Sequence, residues 1–293
     1  MKILLLGANG QVGWALAKQA QQRGLEVIPL QRHQLDITDH EAVQQAVRRT
    51  SPAVVINAAA YTAVDQAEKE QALAYAVNRD ALLSIAQACV AQHVPLLHIS
   101  TDYVFDGCQR TPYHVDDAVN PMSVYGLSKW QGEEAIRQHL EQHIILRTSW
   151  VYGSHGNNFV KTIIKLAQAR EELNVVDDQW GCPTPAASIA NALLAICDQL
   201  SGSNANTWGT YHFTGAPPTT WFRFAEKIIH RAETCIPLRL KQLSPITTEE
   251  FPTPAVRPRY TVLNCEKLVK TFNIEPIPWE SSLTTLIDAD ILR

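Results

Sequence analysis

Long apolar runs are missing from this sequence. The first, Ile3 to Leu6, is too short for a signal-peptide core or a membrane span, and no later segment approaches the roughly 20 apolar residues a span requires. Basic runs are missing too. Lys and Arg number 25 against 29 Asp and Glu, a net charge of −4, so the electrostatic footprint of a nucleic-acid binder is absent. The six cysteines (Cys89, Cys108, Cys182, Cys197, Cys235, Cys265) include no C-x-x-C pair and no metal-finger spacing. Their expected state is the reduced thiol of a cytoplasmic protein, several serving as small apolar fillers. There is no internal repeat and no low-complexity tract. What is present is a 46% hydrophobic content over 293 residues. That is ample for a buried core and suggests roughly two domains.

The first half alternates short apolar runs with helical patterns. Lys2–Leu6, Leu25–Leu30, Ala53–Asn57, Pro95–Ser100 and His143–Thr148 are brief, β-branched or Leu-rich, and bounded by polar or turn residues. Strands of that kind suit a parallel sheet covered on both faces. Between them, Leu82, Ile85, Ala86, Cys89 and Val90 place an apolar stripe on a helix. The pattern predicts an α/β fold: a doubly wound parallel sheet of Rossmann type over residues 1–150. After Ser149 the texture changes. Helices are expected at Asn158–Arg170, Ala186–Leu200 and Thr220–Ala232, and strands at Leu173–Val176 and Trp208–Phe213, with a polar loop at Gly202–Asn206. Cys235 to Pro258 holds five of the 16 prolines and reads as an extended, largely irregular connection. Short helices near Glu266–Phe272 and Glu280–Ile287 finish the chain. Residues 151–293 are therefore expected to form mainly a smaller α+β substrate-binding cap, with segments returning to the sheet.

The first strand runs into Gly7-Ala8-Asn9-Gly10-Gln11-Val12-Gly13. Glycines there permit a sharp turn and close backbone approach, and the following helix N-terminus offers unpaired N–H groups to a pyrophosphate. The spacing is G-x-x-G-x-x-G, and an ordinary tight turn would also accommodate it. At the end of the second strand, where an NAD-preferring protein usually carries an acid, stand Gln31 and Arg32. A guanidinium there can pair with a 2′-phosphate, which favours NADPH, with NADH as an alternative; Arg32 could equally be a solvated surface arginine. Asp36 and Ile37 are candidates to wrap the adenine, and Ala58, Ala59 and Ala60 would let a cofactor pass close to the backbone.

Thr101 ends the fourth run, on the edge where open α/β sheets bind ligands. Tyr125 and Lys129 lie four residues apart and share a helical face. Bringing a phenol from pKa about 10 to near 7 needs roughly 4 kcal/mol of preference for phenolate. A neighbouring ammonium and an oxidised nicotinamide could supply it. Tyr125 would then give its proton to the oxygen of a carbonyl under reduction, with Thr101 hydrogen-bonding the same oxygen and Lys129 also holding the nicotinamide ribose.

Those residues, with Asn57-Ala58-Ala59-Ala60 and Tyr125-Gly126-Leu127-Ser128-Lys129, resemble the extended short-chain dehydrogenase/reductases that act on nucleotide sugars. Ser100–Gly107, Arg147–Gly153, Gly156–Phe159 and Pro252–Ala255 resemble more narrowly the dTDP-4-dehydrorhamnose reductase family. The resemblance covers essentially the whole chain. It implies NAD(P)H reduction of the C4 ketone of dTDP-4-dehydro-L-rhamnose, for bacterial surface polysaccharide, with Tyr125 as proton donor and Thr101 and Lys129 as its partners. It further implies that Thr101, Asp102 and Trp150 contact the deoxysugar, an indole face suiting the apolar side of a sugar ring. Asn158, Thr184 and Arg257 would serve the nucleotide diphosphate end, and Tyr61, Thr62 and Val64 the cleft near the nicotinamide. Some members of the family dimerise around magnesium held by acidic residues. The matching places here are Ala15 and Ala187, which offer no oxygen ligand. A monomer, or a homodimer without interface metal, is therefore expected. Two other readings stand beside this one: a related epimerase or dehydratase, weakened because no acidic pair follows Thr101, and a non-catalytic regulatory subunit, which would not need Thr101, Tyr125 and Lys129 together.

Overall fold

The computed structural model describes residues 1–200 and 207–291; the polar loop expected at Gly202–Asn206 lies outside them. The centre is a six-stranded, wholly parallel sheet built from β1 (Lys2–Leu6), β2 (Glu26–Leu30), β3 (Val54–Asn57), β4 (Leu96–Thr101), β5 (His143–Thr148) and β6 (Gly209–His212). Its order is β6-β5-β4-β3-β1-β2, so the chain reverses direction across the sheet between β1 and β3, where such folds open a ligand crevice. The interior strands are nearly all buried because helices cover both faces. One face carries α1 (Gln11–Gln22) and α5 (Ala186–Leu200), meeting Ile3, Leu5, Val54, Ile56, Leu97, Ile144 and Leu146. The other carries α2 (His40–Thr50), α3 (Ala81–Gln92) and α4 (Val124–His139), meeting Leu4, Leu6, Val55, Leu96 and Ile145. Alternate residues of each strand thus serve opposite cores.

The later half does return to the sheet: β6 pairs with β5, Tyr211 opposite Leu146, and α5 closes the face beside α1. A separate core gathers the helices Phe159–Ala169, Trp221–Glu233 and Trp279–Ile291 around Phe224, Ile228 and Trp279. The proline-bearing connection is largely irregular, as expected, with one exception. It contains a regular strand, Gln242–Ile246, pairing in parallel with Glu172–Val176. Gln242 donates to the Glu171 carbonyl and Ile246 accepts from Asp177, so the alternate residue Pro245 turns its missing N–H to the free edge, where nothing is lost. All six cysteines are free thiols. No helix among the described residues is long and apolar enough to cross a membrane.

Candidate active site

The turn after β1 is formed as the glycines dictate. Gly7 has φ +77°, and a Cβ there would fall 2.5 Å from the Ala59 nitrogen. The turn and the strand end Ala58–Ala60 can therefore touch backbone to backbone only without a side chain. Gly13 likewise packs α1 onto Gly7 and Ala8. At Gly10, by contrast, a Cβ would meet no protein atom closer than 3.4 Å; the space above it is open. It opens into a cleft of about 290 Å³ lined by Gly7, Gly10, Arg32, Asp36, Ile37, Ala58, Ala59, Ala60 and Tyr61. Of the residues expected to hold a cofactor, Gln11, Val12, Gly13, Gln31, Tyr125 and Lys129 do not line this cleft. The Val12 side chain belongs to the core, and the Gln31 backbone N–H is occupied by Gln34 Oε1 at 2.9 Å.

Asp36 is already engaged. Its Oδ1 accepts from the backbone N–H and hydroxyl of Thr38 at 3.0 and 2.8 Å, and Oδ2 lies 3.4 Å from Arg32 Nε. The Thr38 backbone bond is the main influence holding its carboxyl below the usual range. Arg32 is tethered at the cleft wall with a side chain 76% exposed.

β4 delivers Thr101 and Asp102 to the carboxyl edge, and Thr101 Oγ1 caps a short 3₁₀ turn at Asp102–Val104 by accepting from Tyr103 N at 3.2 Å. α4 begins at Ser123, whose hydroxyl accepts from Gly126 N–H at 3.1 Å. Tyr125 and Tyr103 meet edge to face, their centroids 5.5 Å apart. The Tyr125 phenol, 9% exposed, is pushed up to about 12 by burial; the Thr101 hydroxyl at its oxygen pulls it down and the Asp102 charge pushes it up. Asp102 is raised to about 6, chiefly by burial. Its Oδ2 has no hydrogen-bond partner, the Thr261 hydroxyl approaching without reaching bonding geometry.

Lys129 shares the helix face with Tyr125 but does not lower the phenol here. Its Nζ lies 2.8 Å from the Ile99 carbonyl and 3.0 Å from His98 Nε2. The expectation that an adjacent ammonium activates Tyr125 is therefore corrected for the ligand-free protein: burial prevails, and the amine is occupied on β4.

The residues expected for substrate fare unevenly. Trp150 sits in the left-handed region, φ +47°, a strained conformation for a bulky side chain. One face of its indole is stacked on Trp221, centroids 3.5 Å apart and 8° from parallel. A Cβ on Gly181 would fall 2.5 Å from the same ring. The face covered by Trp221 is closed to a sugar. Asn158 acts as a cap, accepting from Lys161 N–H at 3.1 Å, and as a tether, donating to the Gly153 carbonyl at 2.7 Å and Gln11 Oε1 at 3.1 Å. Thr184 is fully buried; its hydroxyl donates to the Cys182 carbonyl and accepts from Gly215 N–H, each at 3.1 Å, so it is not presented to a ligand. Arg257 forms a two-pronged pair with Asp65, Nη2 to Oδ2 at 2.7 Å and Nη1 to Oδ1 at 3.0 Å, rather than standing free for phosphate. Tyr61 donates its hydroxyl to Glu70 at 2.7 Å. Thr62 is exposed and Val64 half-buried, against Tyr125. Ala15 and Ala187 line one groove between α1 and α5.

Sequence reasoning missed the buried polar residues behind the site. Asn78 holds Tyr61 by both its backbone N–H and carbonyl, 2.9 and 3.0 Å, and donates to Ser128 of α4 at 3.0 Å. Glu133 takes Arg147 Nη2 at 2.7 Å, Arg137 Nη2 at 2.6 Å and the Ser100 hydroxyl at 2.5 Å. The one available signal was a polar residue inside an apolar strand, as with His98 and Arg147.

A family model described as "RmlD substrate binding domain" matches residues 1–291. A Sinorhizobium fredii protein named dTDP-4-dehydrorhamnose reductase is 41% identical over 100% of this chain and 99% of its own length. The crystal structure of a Clostridium acetobutylicum dTDP-4-dehydrorhamnose reductase superposes with a TM-score of 0.91 at 41% identity, covering 99% of each chain. That of a Bacillus anthracis dTDP-4-dehydrorhamnose reductase in complex with NADP gives 0.90 at 36% identity, covering 98% of this chain and 99% of the other.

Proposed function

The chain belongs to the RmlD substrate binding domain family, and from that premise we propose that it reduces the C4 ketone of dTDP-4-dehydro-L-rhamnose to dTDP-L-rhamnose with NADPH. Full-length relatives of that name and the NADP complex of one of them support the reading. Its carrying observation is the meeting of Thr101, Asp102 and Tyr125 at the strand edge beside the glycine-floored cleft.

The residues present fit a nicotinamide dinucleotide. Gly7 lets the turn close on Ala59, and the room over Gly10 is the cradle a side chain would fill. Gly7, Gly10 and the first N–H groups of α1 would hold the pyrophosphate, Arg32 a 2′-phosphate, Asp36 and Ile37 the adenine, and Lys129 the nicotinamide ribose. The bound reduced nicotinamide would supply hydride to C4. Tyr125 remains protonated across the neutral range because burial holds its phenol high, so it can donate from its hydroxyl to the C4 oxygen. Thr101 hydrogen-bonds the same oxygen, and Asp102 Oδ2 accepts from a sugar hydroxyl. Residues after Ser149 supply the far side of the sugar pocket, Trp150 among them.

The test is loss of NADPH absorbance with dTDP-4-dehydro-L-rhamnose. Tyr125→Phe should lower turnover about 10²–10⁴-fold and leave NADPH affinity nearly unchanged. No oxidation of NADPH by this sugar, or a fully active Tyr125→Phe, defeats the proposal.

A further inference from the structure

His98 lies in the middle of β4, is 1% exposed, and has no part in the chemistry above. Its hydrogen-bond partners fix where its proton sits. Asn57 Oδ1 accepts from the backbone N–H of Ala59 at 3.0 Å. The other end of that amide is therefore the NH2 group, and it stands 3.1 Å from His98 Nδ1. An amide NH2 only donates, so Nδ1 must accept, and a neutral imidazole then carries its hydrogen on Nε2. The ring is kept neutral by burial first; a charge on Lys129, whenever that amine is protonated, acts the same way, and a backbone hydrogen bond at Asn57 acts against both. Nε2 lies 3.0 Å from Lys129 Nζ. An N–H facing an ammonium sets two donors against each other; an N–H facing a neutral amine meets a lone pair, while the amine's own hydrogen serves the Ile99 carbonyl at 2.8 Å.

We infer that His98, oriented by Asn57, is a positioning residue that holds Lys129 in the free protein as a neutral amine drawn against β4. Positive charge then arises beside Tyr125 only when the amine leaves His98 and takes up a proton. The charged groups around the amine agree. Burial pulls Lys129 down to about 7, and Glu133, one turn along α4, is the carboxylate that pushes it back up. That carboxylate is already countered by Arg147 from β5 and Arg137 from α4. The inference deepens the reading of Lys129 as the amine that serves the ribose and the phenol, but its test needs neither ligand nor turnover.

The experiment is NMR of the ligand-free protein, following the imidazole nitrogens of His98 and the side-chain Cε of Lys129 between pH 6 and 9. Expected are a protonated Nε2 and bare Nδ1 throughout, with Lys129 titrating near 7 in place of the usual 10.5. In Asn57→Asp, the carboxylate takes a hydrogen from Nδ1, the tautomer reverses, and Nε2 becomes an acceptor for an ammonium. The Lys129 midpoint should then rise at least tenfold in proton affinity. His98→Gln, whose carbonyl can accept from the ammonium, should raise it likewise. A hydrogen on Nδ1 in the unaltered protein, or Lys129 fully charged at pH 8.5, overturns the inference without any variant. So does a reversed tautomer in Asn57→Asp that leaves the lysine midpoint in place. Inactivity toward the sugar with these titrations as expected would instead count against the functional reading alone.

Discussion

A Cβ built on Gly126 would overlap the carbonyl oxygen of Tyr103. The first turn of α4 therefore lies directly against the 3₁₀ turn after β4, and that contact brings the Tyr125 phenol to the Thr101 hydroxyl. Gly126→Ala must push helix and turn apart. A displacement of about 1 Å can cost on the order of 10²-fold in rate. The expected result is a kcat lowered by that order with NADPH affinity little changed, measured by steady-state kinetics and cofactor titration. A variant with ordinary kcat would show that the contact does not set the tyrosine.

Arg32 is expected to discriminate the 2′-phosphate. Its side chain is largely exposed and already leans on Asp36, so the gain from a second anion is screened to about 1 kcal/mol, roughly fivefold. Arg32→Ala should raise the NADPH KM by about that factor and leave the NADH KM unchanged, the difference shrinking as salt is added. Equal losses for the two cofactors would remove Arg32 from specificity.

Asp102 gives the sugar site a pH signature. Burial raises its carboxyl to about 6, and Oδ2 has no partner. As an acceptor for a sugar hydroxyl it works best ionised, so the KM for the sugar should fall as pH rises through about 6. The Tyr125 phenol stays protonated over that interval. Asp102→Asn should flatten the profile and raise KM about tenfold, the scale of one hydrogen bond to a charged group. An inflection that survives the substitution belongs to another group.

The strands β1 to β5 were legible to within a residue or so because a sheet buried on both faces writes its strands as apolar runs. The glycine turn and the Tyr125–Lys129 spacing were legible because both are local. Long-range pairing was not: His98 and Lys129 are separated by 31 positions and Asn57 and His98 by 41, and nothing near either partner marks the bond. Asn158 and Thr184 illustrate how a motif match can carry a structural duty. Each matched a motif, yet each is occupied by backbone groups, a local demand that small polar side chains often serve. The strand Gln242–Ile246 was masked by Pro245, harmless only at a free edge.

Trp221 should act on the sugar through Trp150. The stacked indoles predict an exciton couplet in the near- and far-ultraviolet circular dichroism that Trp221→Leu abolishes. With its support gone and its backbone in the left-handed region, the Trp150 ring loses a fixed orientation. The sugar KM should rise several-fold while kcat changes less. Loss of the couplet with an unaltered KM would assign the stack to packing of the cap alone.

Glu133 supplies the acid-sensitive part of the fold. Burial acts to raise its carboxyl, but Arg147, Arg137 and the Ser100 hydroxyl hold it down to about 2 from 4.5. A folded value below the unfolded one means stability fully present above 4.5 and lost as pH falls toward 2. Other groups titrate nearby: Asp102, raised to about 6, acts in the opposite sense, and the neutral His98 and His212 act in the same sense as Glu133. Comparison with Glu133→Gln cancels Asp102 and His98, and His212 apart from the upward pull that Glu133 itself exerts on that ring. At pH 7 the substitution leaves Arg147 buried beside an uncharged amide and should cost about 3–5 kcal/mol in urea denaturation. As pH is lowered past 4.5 the unfolded chain takes up a proton that the folded carboxylate refuses until about 2, so the stability owed to the charge drains away and the gap between the two should narrow. A gap that stays constant from pH 7 to pH 3 would mean that shape and hydrogen bonding, not the carboxylate's charge, hold β4, β5 and α4 together behind the site.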